Sequence, residues 1–290
     1  MTVRESLQYG YTVLKMSGIE TPFLDAALLL GESLSLSKEQ LFSAYPDLMS
    51  KEDFIKFDNL LEERLNGFPV SYIRKRKEFY SLEFYVDNRV LVPRPDTEVV
   101  IDAVKELVRE APEITRIHDL CTGSGAIAVT LYTLFPHIEI SASDVSKSAR
   151  EVFTYNCIRL LGRLLPFTLS NLFENLEGTY DLIVSNPPYL THKEMANLQR
   201  MGWPEPEIAL DGGGEDGTAL IERIIAESAD RLDADGYLVL EAAPHQMKKI
   251  KKLMEKYGFF DINVRNDLAD RERVIQGRCP GVISRDEIKG

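Results

Sequence analysis

Apolar residues recur with two different periods along the chain, and the change of period divides it. Up to about residue 75 they follow helical spacing, and N-terminal capping patterns precede the runs at Thr21-Pro22 and at Ser37 to Gln40. From Arg116 onward, short apolar runs alternate with amphipathic segments, which is typical of strands alternating with helices. Such alternation predicts a mostly parallel sheet with helices on both faces. We therefore predict an N-terminal helical bundle followed by an α/β domain.

The element boundaries follow from the same pattern. Strands are predicted at 116–120, 138–143, 165–169, 180–185, 236–242, 261–266 and 273–278, and helices at 125–135, 146–161, 217–232 and 245–257. The last two strands lie too close together for a crossover helix, so they should pair antiparallel. Residues 78–92 predict a β-hairpin that turns at Asp87-Asn88, and Asp96 should cap a helix that ends at Glu110. The predicted domains are 1–75 (helical), 76–95 (hairpin linker) and 96–290.

Composition limits the class of protein. The chain has 290 residues, of which 44% are hydrophobic and 28% charged, as in an ordinary soluble protein. It has no apolar run near the roughly 20 residues that span a bilayer and no N-terminal signal region. Its three cysteines and four histidines are scattered, which disfavours a metal site or disulfides. We expect a monomeric, cytoplasmic protein with no membrane partner. The net charge of −12 disfavours stable nucleic-acid binding, although residues 74–77 form one dense basic run.

A glycine-rich turn links the first strand of the α/β region to its helix. The turn consists of Asp119, Leu120, Cys121, Thr122, Gly123, Ser124 and Gly125, and its glycines allow the backbone to approach a ligand closely. It also fits the dinucleotide pattern G-x-G-x-x-A, so a nicotinamide cofactor is one alternative. Asp119 would repel a pyrophosphate but attract an ammonium group, which favours S-adenosylmethionine. Asp144, at the end of the next strand, suits the hydroxyls of a ribose. Asn171 and Leu172, after the third strand, would lie near the adenine.

A second motif, Asn186-Pro187-Pro188-Tyr189, follows the buried run at 180–185. Asn186 should therefore lie at the carboxyl end of a strand, where open α/β sheets bind ligands. Each proline lacks an N–H and holds the preceding residue extended, so no local donor occupies the carbonyls of Asn186 and Pro187. These acceptors beside an aromatic ring suit a planar –NH2 group. The motif does not distinguish a side-chain amide from a base amine, and a plain proline-rich turn is the structural alternative.

With both motifs placed, the chain resembles the release factor glutamine methyltransferases (the PrmC/HemK family) over nearly its whole length. The other segments that carry the resemblance are 25–30, 67–73, 90–98, 205–213, 267–269 and 273–278. The resemblance implies a class I S-adenosylmethionine-dependent methyltransferase domain with a seven-stranded, Rossmann-like sheet. It also implies a helical domain that recognises the substrate, and S-adenosylhomocysteine as the product. The substrate would be the glutamine in the Gly-Gly-Gln loop of class I peptide-chain release factors.

The resemblance assigns roles to the second motif. The Asn186 side-chain oxygen and the Pro187 carbonyl would accept the two N–H groups of the target amide, with Tyr189 packed on its plane and Pro188 completing the substrate site. Asn186 would also contact the cofactor. The acidic, glycine-rich segment 205–216 predicts a lid, with Gly212, Gly213 and Gly214 as its flexible points.

Two cofactor-loop positions depart from the family pattern. Cys121 replaces a usual glycine, and its Cβ is expected to keep the turn out of positive φ. Asn171 stands where an aspartate is common. Three alternatives therefore stay open: an N6-adenine or N2-guanine nucleic-acid methyltransferase, a nicotinamide oxidoreductase, and a release-factor-binding protein without turnover.

Overall fold

The structure, a computed structural model, describes residues 1–280, and these divide into two units. The first comprises Met1–Arg76 with Gly202–Pro204, and the second comprises Lys77–Met201 with the residues from Glu205 onward. Within 1–280, no helix is both long enough and apolar enough to cross a membrane.

The first unit is helical. Its helices are α1 (Val3–Met16), α2 (Pro22–Leu34), α3 (Lys38–Ser43), α4 (Lys51–Leu65) and α5 (Val70–Ile73). Their apolar faces share a core in which Leu14, Leu29 and Phe57 are completely buried. The predicted capping box before α3 is confirmed. Thr21 precedes α2 as predicted, but its hydroxyl donates to the Asp25 carboxylate (2.9 Å) instead of capping the helix.

The basic run at 74–77 is partly neutralised within the helical unit. The guanidinium groups of Arg74 and Arg76 both pair with the Glu32 carboxylate on α2. Two of the four positive charges are thus already engaged, which weakens the interpretation of the run as a free basic surface.

The second unit begins with a hairpin that is shorter than predicted. Strand β1 (Lys77–Phe79) pairs antiparallel with β2 (Leu82–Phe84), and the turn falls at Tyr80-Ser81. Both turn residues have positive φ, 48° and 63°, as expected for a two-residue turn that matches strand twist. The predicted turn at Asp87-Asn88 is therefore wrong as a hairpin turn. The Asp87 carboxylate instead accepts hydrogen bonds from the backbone and guanidinium of Arg89.

The prediction that Asp96 caps the next helix is also wrong. A short 3-10 turn, Pro95–Thr97, leads directly into α6 (Glu98–Glu110). The Asp96 carboxylate pairs instead with the guanidinium groups of Arg271 (3.1 Å) and Arg273 (2.9 Å). These partners lie far along the chain, so the local capping pattern could not reveal them.

A seven-stranded sheet forms the core of the second unit. Its strands are β3 (Arg116–Leu120), β4 (Glu139–Asp144), β5 (Phe167–Leu169), β6 (Tyr180–Ser185), β7 (Leu232–Glu241), β8 (Phe260–Asn266) and β9 (Glu272–Arg278). The spatial order is β5-β4-β3-β6-β7-β9-β8, with β9 antiparallel to both neighbours. All seven predicted strands are confirmed, with shifted ends, and so is the antiparallel final pair.

The helices of this unit are α7 (Ala126–Leu134), α8 (Lys147–Leu161), α9 (His192–Arg200), α10 (Ala219–Ser228) and α11 (Met247–Lys256). Residues of α9 were not predicted to be helical. The chain order reverses between neighbouring strands β3 and β6, where Leu120 is in register with Ser185. The glycine turn and Asn186 therefore leave the sheet side by side, at the position where open α/β sheets bind ligands.

Candidate active site

Asp119 supports the glycine turn from below. Its side chain is completely buried, and its Oδ2 accepts hydrogen bonds from the Thr122 hydroxyl (2.5 Å) and the Ala128 N–H (3.0 Å). Burial raises the pKa of Asp119 to about 7, while these two donors oppose the shift. Its Oδ1 has no hydrogen-bond partner within the described residues.

Backbone geometry explains Gly125 and contradicts the expectation for Cys121. Gly125 has φ 84°, and a Cβ there would lie 2.8 Å from the Phe153 ring, so only glycine fits. Cys121 also adopts positive φ, 61°, although its Cβ was expected to prevent this. The next residue shows why: the Thr122 N–H donates to the Ser143 carbonyl (3.0 Å) and ties the turn to β4. The fixed path of the turn overrides a left-handed penalty of roughly 1–2 kcal/mol.

Asp144 lies at the end of β4, beside the turn. Its Oδ2 accepts from the Gly123 N–H and its Oδ1 from the Ser146 N–H, both at 2.9 Å. Burial raises the pKa of this carboxyl, and the N–H donors counteract the shift. Beyond β5, the Asn171 amide donates to the Glu174 carboxylate (2.6 Å), and the adjacent Leu172 is buried.

Asn186 emerges from β6 with one end of its amide already engaged. Its Nδ2 donates to the Thr97 hydroxyl oxygen (3.1 Å), which leaves Oδ1 as the acceptor available on the same side chain. Within residues 1–280, no backbone hydrogen bond reaches the Pro187 carbonyl oxygen. The Tyr189 phenol donates to Oε1 of Glu241 (3.3 Å). The motif thus holds unused acceptors, as predicted.

Thr97 and Glu241 are site residues that the sequence did not reveal. Glu241 ends β7 and is buried, which raises its pKa to about 7, while Thr97, Arg273 and Tyr189 act in the opposite direction. One available signal was overlooked: like Asp119 and Asp144, Glu241 is an acidic residue at the carboxyl end of a buried strand. Thr97 carries no comparable signal, because it meets Asn186 only in the folded chain.

A cavity of about 490 Å³ joins the two motifs, and its lining residues belong to the second unit. This volume is in the usual range for small-molecule sites. Of the predicted cofactor residues, the lining includes Cys121, Thr122, Gly123, Ser124, Asp144, Asn171, Leu172 and Asn186, but not Asp119 or Gly125. Of the other predicted substrate residues, it includes Pro188 but not Pro187 or Tyr189.

One wall of the cavity consists of two segments that the sequence did not assign to the cofactor, 89–93 and 206–211. Glu205 fastens them together, because its buried carboxylate accepts from the Val92 N–H (2.9 Å) and pairs with the Arg94 guanidinium. Glu205 is therefore an anchor rather than part of a solvated lid.

Gly212 also has a packing role instead of the flexibility assigned to it. A Cβ on Gly212 would lie 2.1 Å from the Gly217 carbonyl oxygen and 2.7 Å from the Tyr189 Cα. The backbones approach one another too closely for any side chain at this position.

A seven-stranded sheet of this order, with a glycine turn after its first parallel strand and a ligand cavity at the switch point, defines a class I methyltransferase domain. Two solved structures share the fold. The hMettl16 catalytic domain, solved with an RNA hairpin, has a TM-score of 0.55 and 16% identity, covering 71% of this chain and 78% of that one. The 16S rRNA N2 G1207 methyltransferase of T. thermophilus, solved with AdoMet and guanosine, has a TM-score of 0.52 and 17% identity, covering 70% and 49%.

Sequence comparisons identify the family. The PrmC N-terminal domain matches residues 5–74, and the methyltransferase small domain matches residues 97–202. The release factor glutamine methyltransferase of Rhodopirellula baltica is 34% identical over 94% of this chain and 95% of its own length. That of Moorella thermoacetica is also 34% identical, over 94% and 97%. The chain belongs to the release factor glutamine methyltransferase family.

The cavity suits the methyl donor of this class. Asp144 offers a carboxylate for a ribose, the glycine turn lets the backbone approach closely, and Oδ1 of Asp119 has no donor of its own within the described residues. A ligand with a ribose and an ammonium group would use each of these features.

Proposed function

We propose that this protein transfers a methyl group from S-adenosylmethionine to the side-chain amide nitrogen (N5) of glutamine in the Gly-Gly-Gln loop of class I peptide-chain release factors. One observation carries the proposal: Asn186 lines the cavity while its amide nitrogen is bound to Thr97. The site therefore offers the incoming side chain an acceptor, as an amide –NH2 requires.

Asn186 and Pro187 position the glutamine. Its amide nitrogen is a weak nucleophile because the lone pair is delocalised into the carbonyl, so catalysis depends on alignment. Oδ1 of Asn186 and the Pro187 carbonyl oxygen accept the two N–H groups and point the nitrogen towards the methyl group. S-adenosylmethionine supplies that methyl on a positively charged sulfur. As positive charge develops on the attacking nitrogen, both acceptors bind it more strongly, which lowers the barrier.

Tyr189 contributes a ring beside the amide. Its phenol is held by Glu241 and its carbonyl oxygen by the Gln246 amide (2.8 Å), so both ends of the residue are fixed. A fixed ring restricts rotation of the bound amide and presents a π face to the developing positive charge.

The cofactor side divides the remaining roles. Asp144 binds the ribose, Asn171 and Leu172 lie beside the adenine, and the turn from Cys121 to Gly125 encloses the methionine part. Asp119 sets the conformation of this turn through Thr122 and Ala128, and its unpartnered oxygen attracts the ammonium group. After transfer, S-adenosylhomocysteine is released. The helical first unit recognises the release factor, and the reaction takes place in the cytoplasm, where release factors act.

The same acceptors explain selectivity for glutamine. A glutamate side chain has no N–H groups and would present oxygens to the oxygens of Asn186 and Pro187. Sites that require hydrogen-bonding groups reject analogues without them by factors on the order of 10⁴.

The experiment is incubation of the protein with methyl-labelled S-adenosylmethionine and a purified class I release factor, followed by peptide mapping. Label should appear on the loop glutamine and vanish when that residue is changed to glutamate. Two parallel reactions contain ribosomal RNA or duplex DNA. Label on a nucleic-acid base would contradict the proposal and favour a base methyltransferase, and cofactor binding without transfer to any substrate would favour a binding protein.

A further inference from the structure

Asn186 can work in only one of its two amide orientations. With Oδ1 towards the cavity it accepts from a glutamine –NH2, whereas with Nδ2 in that position two donors would face each other. Some neighbouring group must therefore select the orientation. The only side-chain partner that the described structure gives Asn186 is the Thr97 hydroxyl, at 3.1 Å from Nδ2.

Thr97 alone cannot make this selection. A hydroxyl carries one hydrogen and two lone pairs, so it can accept from Nδ2 or donate to Oδ1 with equal ease. Thr97 is 4% exposed, so bulk solvent does not settle its direction. Its hydrogen must go to another buried acceptor if its lone pair is to face Asn186.

Glu241 is that acceptor. Its buried carboxylate is stabilised by side-chain hydrogen bonds from both Thr97 and Tyr189, the second at 3.3 Å. A carboxylate has no hydrogen to give, so both hydroxyls must point towards it. The Thr97 lone pair is then left for the Asn186 –NH2.

We propose that Glu241 and Thr97 are positioning residues that fix the amide orientation of Asn186, and that Glu241 also fixes the Tyr189 ring. The inference rests on the proposed glutamine methylation. One carboxylate would thus orient both polar side chains of the Asn-Pro-Pro-Tyr motif.

The charged groups around Glu241 are consistent with an ionised carboxylate in the active enzyme. Arg273 on the neighbouring strand β9 favours its charge, and Asp96 opposes it. Asp96 is itself paired with Arg271 and Arg273, and Arg273 also pairs with Asp267 (3.4 Å). Arg94 adds positive charge near Tyr189.

Protonation of Glu241 would reverse the chain of hydrogen bonds. A neutral carboxyl can donate to Thr97, which can then donate to Oδ1 of Asn186 and turn its –NH2 into the cavity. Activity should therefore be present when Glu241 is ionised and should decline as the pH falls through its elevated pKa.

The test measures methyl transfer to a purified release factor by matched variants. In Thr97→Val the hydroxyl is lost with little change of shape, and we expect kcat to fall about 100-fold while the KM for the release factor changes less than about threefold. Thr97→Ser keeps the hydroxyl and should stay within about threefold of wild type. Tyr189→Phe removes one donor to Glu241 without touching Asn186 and should lose less activity than Thr97→Val.

Glu241→Gln provides a second, independent readout. It preserves volume but can donate to Thr97, so kcat should fall and the acidic limb of the rate–pH profile should disappear. Asp119, whose pKa is also raised to about 7, is intact in this variant, which identifies the lost limb as that of Glu241. Calorimetry with S-adenosylhomocysteine and thermal unfolding show whether each variant is folded.

Three results would overturn the inference: normal kcat in folded Thr97→Val, equal losses in Thr97→Ser and Thr97→Val, or an unchanged pH profile in Glu241→Gln. If Thr97→Val does not fold, the pH profile of Glu241→Gln decides alone, and if both fail, normal profiles in Thr97→Ser and Tyr189→Phe at every pH would count against it. Wild-type protein that methylates no release factor would contradict the proposed function itself, and the inference would fall with it.

Discussion

Two buried carboxylates at the same edge of the sheet are supported in opposite ways. Asp119 and Glu241 both end a strand, and burial raises the pKa of each to about 7. Asp119 is held by Thr122 and Ala128, which follow within nine residues, whereas Glu241 is held by Thr97 and by Tyr189, 52 residues away. The cofactor half of the site is thus built from a local motif, and the substrate half from remote residues. Each half can be tested separately.

The largest expected effect is on the substrate half. Asn186→Ala removes the acceptor that aligns the glutamine, so kcat should fall by about 10³–10⁴-fold, while the Kd for S-adenosylhomocysteine changes by less than about fivefold. Calorimetry and a methyl-transfer assay measure the two quantities. Asn175→Ala, which removes an exposed asparagine outside the cavity lining, is the matched control and should be nearly silent. Near-normal turnover in Asn186→Ala would remove the residue from the chemistry.

The cofactor half should respond with the opposite signature. Asp144→Ala deletes the acceptor for Gly123, Ser146 and the ribose, so the Kd for the cofactor should rise about 10²–10³-fold. At saturating cofactor, kcat should recover to within about tenfold of wild type, because Asn186 and Pro187 are untouched. Asp144→Asn keeps the shape and should lose less affinity. If Asp144→Ala lowered kcat and left the Kd unchanged, the two halves would not be separable.

Gly125 tests the local rigidity of the cofactor half. Gly125→Ala places a Cβ at positive φ and 2.8 Å from Phe153, so the free energy of unfolding should fall by about 2–3 kcal/mol. Gly162→Ala is the control: its φ is also positive, 67°, but its Cβ would meet no atom within 4 Å. That variant should lose only about 1 kcal/mol. Urea unfolding of both proteins measures the difference, and equal losses would show that Phe153 does not constrain the turn.

The two carboxylates also predict how stability depends on pH. The folded-state pKa of Asp119 is raised above its ordinary value of 3.8, so the folded protein binds the proton more tightly than the unfolded chain does. This contribution to stability is fully present below the unfolded pKa and is lost as the pH rises through about 7. Wild type should therefore lose about 1–3 kcal/mol between pH 5 and pH 8, and Asp119→Asn should lose less. Denaturant unfolding at both pH values provides the test, and a steeper loss in Asp119→Asn would contradict it.

The smallest effect is expected at Cys121. Cys121→Gly relieves the positive φ but adds freedom to the unfolded chain, and these contributions nearly cancel, so stability should change by less than about 1 kcal/mol. Cofactor affinity should stay within about threefold, because the turn already follows the path that a glycine would take. A large gain in affinity, measured by calorimetry, would show that Cys121 impairs the cofactor half.

The comparison also explains which parts of the molecule could be predicted. The strands, the glycine turn and Asp144 depend on residues close in sequence, and periodicity or spacing revealed them. The turn at Tyr80-Ser81 was missed because neither residue is a usual turn former, while Asp87-Asn88 is a strong turn signal whose aspartate binds Arg89 instead.

Long-range partners account for the other errors. The roles of Glu205 and Gly212 depend on Val92 and on the Tyr189 backbone, which approach them only after folding. The left-handed conformation of Cys121 likewise follows from the bond between Thr122 and Ser143, and residue preference alone could not predict it.

The central claim is that Asn186 and Pro187 hold the glutamine amide by its two N–H groups. A crystal structure of the protein with S-adenosylhomocysteine and a class I release factor would test this claim most directly. We predict that the glutamine Nε2 lies about 3 Å from both Oδ1 of Asn186 and the Pro187 carbonyl oxygen, with Nδ2 of Asn186 still bound to Thr97. A glutamine nitrogen that lies away from both oxygens, or an Asn186 amide turned with its nitrogen towards the substrate, would contradict it.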